Sequence, residues 1–230
     1  MNKNIVVIGG SHGIGRSLIG LLPEEYRIFM VSRTLDEGPG PNVTHYSADI
    51  TEATPESIPF PERIDGLVYC PGSIQLKPFK MLGLETFEQE MSINFFSLVK
   101  LTRHLIERMA EGSSIVYFST VAVGLGMPFH TSIAAAKGAV EGFARSLAAE
   151  YAPKVRVNVL APSLVDTPLS ARLLNNDRKK EQMAERHPLK KVGRPEDIAR
   201  MAALLLSEES GWITGQVFGI DGGLSTLNVH

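Results

Sequence analysis

Residues 3–15 read Lys-Asn-Ile-Val-Val-Ile-Gly-Gly-Ser-His-Gly-Ile-Gly, an apolar run that ends in a glycine-rich turn. The Val and Ile of residues 3–8 suit a strand buried on both faces. Residues 13–22 then carry a helical pattern up to Pro23. Glycines between a strand and a helix let the backbone turn tightly and come close to a ligand. The first turn of the helix offers unpaired N–H groups and the positive end of its dipole, which favour a phosphate. Gly9, Ser11, His12, Gly13, Ile14 and Gly15 are therefore candidates to cradle a pyrophosphate, although a merely tight turn has the same composition.

Outward from this turn, strand-like and helix-like stretches alternate to the end of the chain. Strands are expected at 27–31, 43–47, 65–70, 114–118, 155–160 and 216–220. One long helix is expected at 84–110, where Phe87, Met91, Phe95, Leu98, Leu101, Leu105 and Met109 step by three or four. Further helices are expected at 131–151, stopped by Pro153, and at 195–206, with proline in its first turn. Such alternation implies parallel pairing, with helices on both faces of a doubly wound seven-stranded sheet. The α/β domain so described takes in residues 1–230 as one unit. Residues 36–42 read as a turn or loop. Residues 169–191 are charged and lack a strand pattern; they read either as a mobile helical lid or as a solvated pair of surface helices.

Composition excludes several classes of function. Lys and Arg number 23 against 25 Asp and Glu, a net charge of -2, which leaves no basic surface for nucleic acid. Hydrophobic residues at 43% and charged residues at 21% fit a globular core. Cys70 is the sole cysteine, so neither an internal disulfide nor a cysteine-based zinc site is expected, and no other metal site suggests itself. The apolar run before Gly9 is too short for a signal-peptide core, and no stretch approaches a membrane span. A cytoplasmic location is the expectation.

Gly9, three intervening residues and then Gly13-Ile14-Gly15 resemble the glycine motif of the short-chain dehydrogenase/reductase family. Other segments match the family in the same order. Asp49-Ile50 resembles its adenine-contacting pair, and residues 65–72, ending in Gly72, stand where it carries D-x-L-V-N-N-A-G, with agreement only at the ends. Asn94 takes the place of its helix-breaking asparagine, and Lys137 opens a helix very like its lysine helix. Residues 156–167, with Pro162, Val165 and Thr167, resemble the strand and loop that hold nicotinamide, and residues 215–223 resemble the last strand and its turn. The resemblance spans nearly the whole chain and is nearest to the 3-oxoacyl-carrier-protein reductase-like branch. It implies a Rossmann-type fold, a nicotinamide dinucleotide and a small-molecule substrate. It also implies a homotetramer, or failing that a homodimer, packed through the helices at 84–110 and 131–151.

In this family an acidic residue after the second strand holds a free ribose 2′-hydroxyl. Here the strand ends in Ser32-Arg33, a hydroxyl and a guanidinium suited to phosphate, with His12 as a further donor. NADP(H) is thus favoured over NAD(H). Only 15 residues separate Arg33 from Asp49, so the helix that relatives place there is expected to be reduced or absent.

The reacting groups depart from the family pattern. The resemblance implies Asn, Ser, Tyr and Lys, with Tyr four residues before Lys so that the two share a helix face and the lysine charge lowers the tyrosine pKa. Asn94 and Lys137 match, and Thr120, beside Ser119, stands in the serine position. Four residues before Lys137, however, is Ile133, which has no proton to give. His130 lies seven residues before Lys137, the spacing at which the superfamily's enoyl reductases carry their tyrosine; it is a candidate proton donor or an ordinary loop histidine. Lys137 holds the nicotinamide ribose by the same resemblance, and pairs with Glu141 on a solvated face by the plainer reading. The 2,4-dienoyl-coenzyme A reductases resemble this arrangement, with lysine kept and tyrosine lost. Two functions follow: an oxidoreductase with an altered proton donor, acting on an activated double bond or a carbonyl, or an inactive dinucleotide-binding sensor or partner subunit. Pro162-Ser163 replaces the family's usual Pro-Gly.

Overall fold

Along β1 (Asn4–Ile8) the side chains of Val6 and Ile8 join one buried cluster, and those of Ile5 and Val7 another. That alternation repeats across β2 (Arg27–Ser32), β4 (Ile64–Tyr69), β5 (Met109–Phe118) and β6 (Val155–Pro162), so each inner strand is buried on both faces, with Arg156 and Asn158 the polar residues on one face of β6. β3 (Val43–Ser47) and β7 (Val217–Ile220) close the edges and are less buried. All seven strands pair in parallel, in the order β3-β2-β1-β4-β5-β6-β7. In this computed structural model residues 2–35 and 40–229 are described.

Two helical layers bury the sheet. α1 (Gly13–Ile19) and α7 (Pro195–Leu206) cover one face through Leu18, Ile198, Ala202 and Leu205. α3 (Ser97–Leu105) and α5 (Thr131–Tyr151) cover the other through Leu98, Leu101, Val140 and Leu147. The chain leaves β1 towards β2 and β3, then returns to place β4 on the other side of β1. A crevice therefore opens where the connections from β1 and β4 diverge, at the carboxyl ends of the strands. No helix is found among the described residues between β2 and β3. Residues 36–39, within the loop expected at 36–42, lie outside the described residues.

The single helix expected at 84–110 is broken. α2 (Leu84–Met91) passes through a π-turn at Ser92–Phe96 into α3, and a 3-10 turn at Ile106–Arg108 leads directly into β5. The π-turn inserts one extra residue and turns Asn94 inward, where its Nδ2 donates to the Glu90 carbonyl at 2.9 Å. Met109 continues the helical spacing by coincidence, because it is a strand residue paired with Ile64. α1 stops at Ile19, short of Leu22, and β6 runs on to Pro162. The charged stretch at 169–191 contains α6 (Asp177–Glu185), capped by Asn176 Oδ1, which accepts from the Lys179 amide at 2.9 Å.

Arg156 ties β6 to the carboxyl end of α7. Its Nη2 donates to the carbonyls of Leu205 at 2.9 Å and Ser207 at 3.2 Å, and its Nη1 to that of Ile213 at 3.3 Å. A cation here meets the negative end of the helix dipole and satisfies carbonyls that the helix leaves unpaired. Arg156→Met keeps much of the bulk but removes these donors; urea unfolding is expected to show a loss of about 2–3 kcal/mol.

Candidate active site

The glycine turn follows from close backbone approach. A Cβ on Gly15 would lie 2.4 Å from the Gly9 carbonyl oxygen, so only glycine lets α1 start against the end of β1. Gly13 has φ +52° and faces Thr167 Cγ2 at 3.2 Å from where its own Cβ would be. These contacts shape a cleft of about 660 Å³ lined by Gly9, Ser11, His12, Gly13, Ile14 and Gly15 on the turn. Ser32, Arg33, Asp49, Ile50, Gly72 and Thr167 complete it. The cradle is small enough for a pyrophosphate to reach backbone amides, as a dinucleotide requires.

At the far end, Arg33 is exposed, with Nη1 3.8 Å from Asp49 Oδ2. The Thr51 hydroxyl and amide donate to Asp49 at 2.6 and 2.9 Å and hold its carboxyl below the usual range. The Ser32 hydroxyl is not open to the cleft as its position in sequence suggests. It donates inward to the Thr34 carbonyl at 2.8 Å and lies 2.9 Å from His45 Nε2. His12 Nε2 lies 3.4 Å from Thr34 Oγ1. Val165 is buried beneath the loop after β6, where it bridges to Gly193, rather than in the cleft wall.

A second cavity, of about 260 Å³, joins the cleft through Ile14, Cys70, Gly72 and Leu169. Asn94, Thr120, His130, Ile133, Lys137 and Pro162 all line it, amid Ile74, Leu76, Phe118, Met127 and Leu173. Lys137 turns into this cavity and does not pair with Glu141; Glu141 Oε1 accepts from the Ser119 hydroxyl at 2.5 Å instead. Burial brings the Lys137 ammonium down to about 8, against the pull of the Glu90 carboxylate. Thr120 Oγ1 accepts from the Ala122 amide at 3.3 Å. His130 caps the start of α5, half-buried, with Nδ1 donating to the Pro128 carbonyl at 2.8 Å. Among the described residues no tyrosine lines either cavity: Tyr69 and Tyr117 are buried, and their hydroxyls meet the Ile93 carbonyl and Thr102.

Three groups escaped the sequence reading. Glu90 is buried, and its Oε2 accepts from Ser73 Oγ at 2.7 Å and Asn94 Nδ2 at 2.8 Å. Its position four residues before Asn94, one helical turn away, was the signal that could have found it. Cys70 is packed against Lys137, and burial pushes its thiol up to about 12. Ser163 and His187 meet in the cavity wall, Oγ to Nε2 at 2.9 Å. The replacement of glycine by Ser163 was visible in the sequence, but nothing there marked His187 as its partner. Among the described residues there is no group of three or more His, Cys, Asp or Glu placed to hold a metal, and no helix long and apolar enough to cross a membrane.

Known proteins agree with this geometry. Residues 45–225 match the family model described as enoyl-(acyl carrier protein) reductase. The 3-oxoacyl-[acyl-carrier-protein] reductase FabG of Chlamydia trachomatis is 31% identical over 98% of both chains. A short-chain dehydrogenase family protein from Francisella tularensis superposes with a TM-score of 0.92 at 25% identity, covering 99% of this chain and all of the other. ElxO with NADP bound superposes with a TM-score of 0.85 at 25% identity over 97% of this chain and 99% of its own. Glycine cleft, buried lysine and full-length similarity together place this chain in the short-chain dehydrogenase/reductase family of oxidoreductases, in its FabG-like branch.

Proposed function

We propose that the chain is an NADP(H)-dependent oxidoreductase that reduces an activated double bond or a carbonyl, with Ile133 standing where relatives use tyrosine. The observation that carries this reading is the apolar cavity holding Lys137, Asn94, Thr120 and Ile133, continuous with the glycine cleft. Bound across the two, the reduced dinucleotide supplies the hydride. The amides around Ser11, Gly13 and Ile14 receive the pyrophosphate, Asp49 and Ile50 the adenine, and Arg33 the 2′-phosphate. Lys137 holds the nicotinamide ribose, with Gly72, Pro162 and Thr167 around the ring. Asn94 orders the floor beside Lys137, and the Thr120 hydroxyl donates to the substrate oxygen as negative charge develops there. The proton comes from an imidazole of the cavity wall, for which His130 is the candidate that sequence spacing names.

Support for NADP(H) comes from the absence of an acidic residue at the end of β2 and from the likeness to ElxO, which is solved with NADP bound. Similarity to a 3-oxoacyl-carrier-protein reductase and to an enoyl reductase model favours acyl thioesters as the substrate class. The lid reading of residues 169–191 belongs to the same proposal, because Leu173, Met183 and Arg186 line the cavity. So does assembly as a homotetramer or homodimer through the segment 84–110 and α5, where Phe96 of the π-turn and Gly142 are exposed.

NADPH oxidation against a panel of enones, enoyl thioesters and ketones tests the activity. Turnover is expected on the activated double bonds, and Ile133→Tyr should raise ketone reduction by ~10²–10⁴-fold, the worth of a positioned general acid. Tight NADPH binding with no turnover across the panel would instead support the sensor or partner-subunit function.

Calorimetric titration tests the dinucleotide preference. Removing a guanidinium–phosphate contact in Arg33→Ala should weaken NADPH about 10- to 100-fold and leave NADH nearly unchanged.

Lys137 gives a pH signature. Below about pH 8 its ammonium is charged and donates to the ribose hydroxyls; above it the amine is neutral. NADPH affinity should therefore fall as pH rises from about 7 to about 9, and Lys137→Met should flatten that dependence.

A further inference from the structure

The cavity wall contains a hydroxyl–imidazole pair that the family pattern lacks. Ser163 follows Pro162 at the carboxyl end of β6, where relatives carry glycine. Its Oγ lies 2.9 Å from His187 Nε2, and His187 Nδ1 lies 2.8 Å from the Met183 carbonyl. A carbonyl can only accept, so Nδ1 carries a proton and the ring's orientation is fixed. In the neutral ring Nε2 accepts from Ser163; in the imidazolium Nε2–H donates to Ser163 Oγ and frees the serine proton to turn into the cavity. His187 is only 3% exposed, so the protein, rather than solvent, sets its position. Both residues line the cavity that Lys137, Asn94 and Thr120 enter. His130 has no such relay; its partner is the Pro128 carbonyl within its own loop.

We propose that Ser163 and His187 form the proton-delivering pair of this site, with Ser163 as the group that meets the substrate and His187 as the positioning residue that recharges it. This deepens the oxidoreductase reading and rests on it. As the substrate carbon bonds the hydride of the reduced dinucleotide, the π pair moves to the oxygen, or to the α-carbon of an enoyl thioester. That atom takes the Ser163 Oγ proton, and Ser163 takes the Nε2 proton of the imidazolium. The products are the oxidised dinucleotide, the reduced substrate and a neutral His187, which regains its proton from water. The Asp221 carboxylate, in the turn after β7, acts electrostatically on the ring, and Arg186 lines the same cavity; Lys190 is turned to Glu185, whose Oε2 lies 3.1 Å from its Nζ. A positioned imidazolium–hydroxyl relay is the arrangement general acid catalysis needs.

The test uses the purified full chain with NADPH and the best substrate of the panel. Ser163→Gly, the residue of the family pattern, and His187→Gln should each lower kcat by about 100-fold or more with the KM for NADPH little changed. Ser163→Thr, which keeps a hydroxyl, should restore most of the rate. Wild-type kcat in both Ser163→Gly and His187→Gln overturns the proposal while leaving the oxidoreductase reading intact. The same holds if Ser163→Thr is as slow as Ser163→Gly, or if kcat falls in His130→Gln and not in His187→Gln. A wild-type chain that binds NADPH and reduces nothing overturns both together.

Discussion

The Gly9 carbonyl occupies the space in which a side chain on Gly15 would begin, at 2.4 Å. Much of the molecule depends on that approach. It lets α1 begin directly at the end of β1, so the helix N-terminus faces the crevice left by the change in strand order. It also seats Gly13 against Thr167, which brings the loop after β6 over the same crevice. A side chain at either glycine would separate the two walls of the cleft. The parallel sheet supplies the rigidity this requires, because its inner strands are buried on both faces and locked between two helical layers.

A second constraint is the burial of charge. Lys137 is enclosed, and the drop of its ammonium to about 8 corresponds to about 3 kcal/mol against the charged form. Glu90 opposes that cost from the far side of Asn94. The carboxylate is held by Ser73 and by Asn94 Nδ2, both within 2.8 Å of Oε2. The π-turn is what brings Asn94 into this position, so the broken helix and the buried charges are one feature. A continuous α-helix would carry the asparagine round to another face and leave Glu90 with fewer donors.

The sequence made the architecture legible because strand burial and helix periodicity agree with each other through most of the chain. Thr131–Tyr151 and Pro195–Leu206 have the bounds read from their proline and alanine signals. It failed at Met109, where an apolar spacing of four carries on across a helix-to-strand junction and cannot tell one from the other. In the site, residues next to one another in the chain were legible and long-range partners were not. The glycine turn and the lysine helix are local patterns. Ser32 looks available to a phosphate in the sequence, yet its hydroxyl is bonded to Thr34, and His187 gains meaning only from Ser163, 24 positions away.

An isoleucine at position 133 suits the cavity around it. The walls are largely aliphatic, with Ile74, Leu76, Val121 and Leu173 facing inward. Such surroundings strengthen the few polar contacts they enclose, because little water competes for them. On the proposed function they suit a substrate whose reacting carbon is conjugated and whose tail is apolar. In the proposed mechanism the protic group is Ser163, on the loop after β6, and not a side chain of the lysine helix. Lys137, beside Glu90 and Cys70, then serves the dinucleotide and does not tune the acid. The imidazole takes over that task, held by the Met183 carbonyl on one side and the serine on the other. On the proposed mechanism one isoleucine, one serine and one histidine are parts of a single rearrangement, in which the proton side of the site is built from the loop after β6 and the segment between α6 and α7.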